Sequence, residues 1–384
     1  MPDQSTAARA LAVAVRSRTP VLLWGGPGTG KSSMIRALGA SLGVPVVTVI
    51  ASLREPADFA GLPVVRDDGS IRLAEPSWAR ELAAAGAGLL FLDELTTAAP
   101  AVQAALLRVV LERVVGDVVL PREVAVVAAA NPPEVSAGGW DLSPPLANRF
   151  CHIDWPVDPA RFLEALASGW DVPDVGGERA DYDASTSDGD EPEANIGIRV
   201  RAAVGGFLKS RPTLLFDVPN EMATSGRAWP SPRTWDMAAS LWAEAERLSA
   251  SDDVVMTLIS GCIGPGAARE LLAWRREADL PDPEAVLRDP SSFRLPERGD
   301  RQFAVLNAVA AAVSANPTRE RWEAAFQLVE QAVQLGSSDI AAVAARALAK
   351  CVPPDLPALP ATMATLAPVL DRAGLLTRRR PGRP

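Results

Sequence analysis

The sequence predicts an α/β core of five parallel strands followed by a mostly helical region, and three observations carry that expectation. Over the first 155 residues short apolar runs alternate with helix-patterned stretches, the signature of strand–helix–strand units in a parallel sheet. Hydrophobic residues make up 48% of the 384 and charged residues 22%, which suffices for a sizeable core and fits two domains. Aromatic residues are scarce at 5%, so Ala and Val supply the apolar bulk, as suits helices packed on a Val-rich sheet.

Five runs read as buried strands: Val21–Trp24, Pro45–Ile50, Gly88–Leu92, Val124–Ala129 and Cys151–Asp154. Helical stretches lie between them at Lys31–Leu42, Pro76–Ala85, Pro100–Arg113 and Leu146–Arg149. Pro76 and Pro100 suit a first helical turn, where the missing N–H is one of the unpaired donors anyway. Two hairpins interrupt the alternation. One joins Val64–Val65 to Ile71–Leu73 through a segment ending in Asp68-Gly69-Ser70; the other joins Val114–Val115 to Val118–Leu120 through Gly116-Asp117, a tight two-residue loop. The stretch from Asp171 to Glu193 is acidic, rich in Gly and Ser and nearly free of large apolar residues, and is expected to be a flexible linker or insertion. From Arg233 onward the pattern is helical. Trp235, Ala238, Ala239, Trp242 and Ala243 form one apolar face, and helices are expected to about Leu376.

Composition narrows the function classes. A net charge of -9 and a pI of 4.9 argue against a general nucleic-acid binder, which usually carries a basic face. The one basic cluster, Arg378, Arg379, Arg380 and Arg383, reads as a solvated tail over 377–384. Three dispersed cysteines without a CxxC pair fit a reducing cytoplasm better than a disulfide framework or zinc site. The single histidine, His152, cannot assemble a metal cluster alone. No leader peptide and no membrane span are expected, because no apolar run approaches eighteen residues.

The chemistry concentrates in five places. Gly25-Gly26-Pro27-Gly28-Thr29-Gly30-Lys31-Ser32, followed by Ser33, matches the phosphate-binding pattern G-x-x-x-x-G-K-[ST] between a strand and a helix. Backbone N–H groups turn inward around phosphates only where glycines reach positive φ. Lys31 then supplies charge to the β- and γ-phosphates, Ser32 a hydroxyl to Mg2+, and the helix its dipole. Leu89–Leu92 delivers Asp93 and Glu94 at a strand's carboxyl end, where α/β folds bind ligands. Asp93 would hold the metal shell and Glu94 would act as general base on water, although Asp93 alone also reads as a helix cap. Asn131 ends the next apolar run and could orient that water; Asn131-Pro132 equally reads as a turn start. Arg149 and Arg233 complete the set, and each by itself also reads as a surface cation at a helix end or first turn.

In order and spacing these motifs resemble Walker A, Walker B and sensor 1 of AAA+ ATPases. Pro145-Leu146-Ala147-Asn148-Arg149-Phe150 resembles the helix end bearing an arginine finger, and Ser231-Pro232-Arg233-Thr234-Trp235 resembles sensor 2. The hairpins, Asp58-Phe59-Ala60-Gly61-Leu62-Pro63 and Pro100-Ala101-Val102-Gln103-Ala104-Ala105-Leu106-Leu107 are similar to the MoxR branch, of the helix-2-insert type in the dynein-related subgroup. The resemblance covers about residues 10–275. It implies a P-loop core with strand order 5-1-4-3-2 over 1–170, the linker at 171–193, a helical lid with sensor 2 over 194–280, and an extension over 281–376. It also implies ATP and Mg2+ as ligands, ATP hydrolysis in the cytoplasm, and a homo-oligomeric ring, most simply a hexamer, in which Arg149 serves the neighbouring subunit's site. Family members act as chaperones or maturation factors on a client protein, often with a von Willebrand A-domain partner.

Two other classes stay open at this stage. A nucleic-acid motor or restriction subunit would need basic hairpin tips, whereas the first tip, Arg66-Asp67-Asp68-Gly69, is net acidic. A nucleotide-gated scaffold with little turnover would not need Glu94.

Overall fold

In the computed structural model the described residues are 3–132, 139–168, 193–219 and 226–353. Within them the chain forms two compact units: residues up to 168 together with 214–269, and residues 193–213 together with 270–353.

The first unit is built on five parallel strands: β1 Val21–Trp24, β2 Val46–Ile50, β3 Ala87–Asp93, β4 Glu123–Ala130 and β5 Cys151–Asp154. Their order across the sheet is β5-β1-β4-β3-β2, with β1 paired to both β4 and β5 and β3 to both β4 and β2. The expected α/β class and sheet are therefore present. Burial follows position in the sheet. All four residues of β1 are buried, as are Val124–Ala130 of β4, since helices cover both faces of a parallel sheet. At the edge, β2 alternates, with Val47 and Val49 buried and Ile50 exposed, the period-2 pattern of a half-covered strand. Leu22, Val49, Phe59, Leu90, Leu106, Val126 and Phe150 lie in one apolar cluster.

The helix Lys31–Leu42 has the bounds expected. An N-terminal helix, Gln4–Arg16, was not foreseen. Asp3 caps it by accepting the Thr6 N–H at 2.7 Å, and it packs against β5 and the helices Pro232–Arg247 and Asp252–Ile263. The first turn of Pro232–Arg247 is fixed by a capping box, in which the Ser231 hydroxyl accepts the Thr234 N–H at 3.2 Å while Thr234 Oγ1 accepts the Ser231 N–H at 2.8 Å.

Both hairpins form, as Leu62–Val65 with Ile71–Ala74 and Val114–Val115 with Val118–Val119. Leu62, Val64, Val65 and Ile71 are exposed. The two hairpins touch at a pair of left-handed glycines. A Cβ on Gly61 would lie 2.6 Å from Gly116 Cα, and one on Gly116 would lie 2.9 Å from the Leu73 carbonyl oxygen. The Leu73 N–H also donates to Asp117 Oδ2 at 3.1 Å.

In the second unit the helix Glu193–Ser210 packs on Gly299–Ala315, where Gly206 leaves no room for a methyl beside Ala304. Trp322, Phe326, Val309 and Leu328 fill its core. The unit boundary differs from the division at 280 drawn from the sequence, because 193–213 joins helices about a hundred residues downstream. The stretch from 171 to 192, the tail from 377 and the helices expected between 354 and 376 lie outside the described residues.

Candidate functional site

Gly28 and Gly30 adopt φ of +75° and +88°, the left-handed region that side chains enter at a cost. Gly25 is enclosed for a different reason, since a Cβ there would sit 2.8 Å from the Trp155 carbonyl oxygen. The Trp155 indole N–H donates to the Thr29 carbonyl at 3.0 Å, so the residue after β5 buttresses this loop. Pro27 and Ser33 are exposed.

The buried Lys31 turns its ammonium inward, donating to the carbonyls of Gly25 at 2.5 Å and Gly26 at 2.8 Å and to Asn131 Oδ1 at 3.4 Å. Burial lowers its pKa, and Asp93 partly opposes that shift. The Ser32 hydroxyl donates to Asp93 Oδ2 at 3.2 Å. Lys31, Ser32, Asp93 and Asn131 thus converge at the carboxyl ends of β1, β3 and β4. A hydroxyl beside a carboxylate is the hard oxygen set a magnesium ion accepts, and a loop of left-handed glycines closing on a buried ammonium fits a polyphosphate.

Glu94 is exposed and sits at φ +56°, outside the region a non-glycine residue prefers, at a cost of about 1–2 kcal/mol. Two contacts hold it. Its N–H donates to Asp93 Oδ1 at 2.9 Å, and its carboxylate accepts the Ser52 hydroxyl at 2.5 Å. Ser52 lies in the turn Ala51–Leu53 just after β2, so its appearance here follows from β2 pairing with β3. That topology was the only signal that could have found it.

Arg149 and Arg233 form a second group. Arg149 donates to the Pro145 carbonyl, and Arg233 Nη1 lies 3.5 Å from Asn148 Oδ1. Burial lowers the pKa of Arg149, and the charge of Arg233 lowers it further. Among the described residues no hydrogen bond joins either arginine to Lys31, Ser32, Asp93, Glu94 or Asn131.

His152 on β5 is buried and has both nitrogens engaged. Nδ1 accepts the Trp24 indole N–H at 2.9 Å, so the ring proton sits on Nε2, 2.9 Å from the Ala147 carbonyl. A second proton would set two N–H groups against each other. Burial pushes the pKa down to about 4, with the Ala147 contact opposing. The unfolded chain takes this proton near 6.5. Between the two values the unfolded state binds more protons, so this contribution is whole above 6.5 and fades by about 3 kcal/mol as the pH falls to about 4. His152 is the one histidine of the sequence, so a long-range 1H–15N spectrum reads it directly. The Nε2–H tautomer should persist from about pH 8 to about 5; a ring titrating near 6.5 would mean that the Trp24 bond is not made.

A glycine-rich phosphate loop on β1, an acidic pair ending β3 and a polar residue ending β4 define a P-loop nucleotide-binding core. Residues 20–150 match the model of the AAA domain, dynein-related subfamily. The chain binds nucleotide and is an ATP hydrolase built on that domain. No curated protein matches the chain. Solved structures similar to it include a proposed ATPase of Cytophaga hutchinsonii, at 13% identity over 69% of this chain and 87% of that one, with a TM-score of 0.40. A full-length MCM homologue of Methanopyrus kandleri is 19% identical over 70% of this chain and 54% of that one, at 0.37. A RuvB variant of Thermotoga maritima is 15% identical over 85% and 88%, at 0.29. Among the described residues no helix is long and apolar enough to cross a membrane.

Proposed function

We propose that this chain is a ring-forming, MoxR-like ATPase that uses Mg2+-dependent ATP hydrolysis to remodel or mature a partner protein. The observation that carries the reading is the convergence of Lys31, Asn131, Ser32 and Asp93 beside Glu94 at the carboxyl ends of the inner strands. The loop Gly25–Ser33 holds the triphosphate, with Lys31 exchanging its loop carbonyls for phosphate oxygens. Ser32 and Asp93 hold Mg2+, which when bound neutralises charge on the phosphates. Glu94 accepts a proton from the attacking water once Ser52 releases it, and Asn131 orients that water. Arg233 contacts the phosphates of its own subunit and Arg149 those of the neighbour, in a head-to-tail ring, most simply a hexamer. The exposed apolar hairpin Leu62–Ala74 gives such a ring a surface for a protein client, and a von Willebrand A-domain partner belongs to the same reading.

The direct test is Glu94→Gln. It should bind ATP as the unaltered protein does, by calorimetry, while steady-state turnover falls at least about a hundredfold, the span of general-base catalysis. Unchanged turnover would remove Glu94 from the reaction.

A further inference from the structure

Asn148 stands between the two arginines and was not among the residues expected at the site. It is only 5% exposed and caps the short helix Pro144–Ala147 immediately before Arg149. Its side chain reaches over 80 residues along the chain to the start of the helix Pro232–Arg247. Oδ1 accepts the Ser231 hydroxyl at 2.9 Å and faces Arg233 Nη1 at 3.5 Å, while Nδ2 lies 3.5 Å from the Trp229 carbonyl. Ser231 is itself the N-cap of that helix. One amide therefore ties the turn bearing Arg149 to the cap beside Arg233, within a single compact unit.

Nearby like charges make this arrangement responsive. The charge of Arg233 acts against that of Arg149, and the Asn148 oxygen, which accepts from Ser231 and Arg233, offsets the cost of holding Arg233 there. When Arg233 turns to a phosphate, Oδ1 loses one of its two donors and the repulsion on Arg149 is relieved. Both changes act on the turn that sets the direction of Arg149. We infer that Asn148 is a positioning residue that passes the nucleotide state of one subunit, sensed by Arg233, to the Arg149 that the subunit presents to its neighbour. This rests on the proposed roles of the two arginines.

Subunit mixing tests it separately from that reading. The recipient is Arg149→Ala, which keeps Glu94 and Lys31 but needs an arginine from its neighbour. Two donors keep Arg149: Glu94→Gln, which holds ATP, and Lys31→Ala, which does not. Rescue of turnover by the ATP-holding donor should exceed rescue by the empty donor by a factor of about five or more, the usual range of coupling between sites. Adding Asn148→Ala to both donors should abolish that difference, and so should adding Arg233→Ala. Asn148→Asp keeps an acceptor for Ser231 and Arg233 and should preserve it, which also covers a donor that fails to fold with alanine at 148. Equal rescue by the two donors with Asn148 intact overturns the coupling. A difference that survives Asn148→Ala, or vanishes with Asn148→Asp in a folded, exchanging donor, overturns the assignment to Asn148. Absence of rescue by every donor overturns the arginine reading itself, and the coupling with it.

Discussion

Mixing Arg149→Ala protein with Glu94→Gln protein is expected to restore ATP turnover that each lacks alone. Arg149→Ala should bind ATP and hydrolyse almost none, because an arginine that stabilises charge on the transferred phosphoryl group is worth on the order of 10³-fold in rate in related phosphoryl-transfer systems. Glu94→Gln should be equally inactive through loss of the base. The two defects fall on opposite sides of the proposed subunit interface. In a random head-to-tail ring at equal mixing, about one interface in four pairs an intact Glu94 with an intact Arg149. The mixture should then run at roughly a quarter of the unaltered rate. A dead mixture of subunits that demonstrably exchange, or full activity of Arg149→Ala alone, would remove Arg149 from the neighbour's site.

Lys31→Ala carries the second large effect. The ammonium is held by the carbonyls of Gly25 and Gly26 and by Asn131, and burial disfavours its charge. Phosphate oxygens return that charge a partner, through charge-assisted contacts worth about 1.5–3 kcal/mol each. Losing them should weaken ATP binding on the order of a hundredfold, measurable by calorimetry. Because the ammonium also satisfies the Gly25 and Gly26 carbonyls at the end of β1, the melting temperature without nucleotide should fall as well, so affinity is compared at a temperature where both proteins are folded. ATP affinity within about threefold of the unaltered protein would mean that the triphosphate lies elsewhere.

The central strands were legible because such strands are apolar on both faces: Val21–Trp24 ends where its run ends, and the run Val124–Ala129 falls within Glu123–Ala130. The phosphate loop was legible for a related reason, since left-handed backbone at Gly28 and Gly30 leaves a composition signature. The helix Gln4–Arg16 was not. It is buried from Ala10 through Val15 but lies ahead of the first strand, outside the strand–helix alternation that announced the others. The Ser52 contact to Glu94 spans 42 positions and the Asn148 contact to Ser231 spans 83. Ser52 belongs to no motif read from the sequence, Asn148 lies within the Pro145–Phe150 segment without a role of its own there, and each acquires its partner only through strand order or helix placement. For His152 the sequence said only that one histidine cannot assemble a metal cluster; its partners, an indole and a carbonyl, come from the pairing of β5 with β1 and the helix before it.

In the proposed reading, the glycine contact between the hairpins bears on how a change at the site would reach a client. From Glu94 the chain runs through the short turn Leu95–Thr97 into the helix Pro100–Glu112, then straight into the hairpin Val114–Val119. That hairpin abuts the other at Gly61 and Gly116, with no space for even a methyl group between them. The acidic edge of the sheet is therefore joined to the exposed apolar hairpin by a short train of stiff parts. The Gly61–Gly116 contact is the bearing in that train. It does not tolerate even one added carbon atom, so a side chain at either position would push the two hairpins apart.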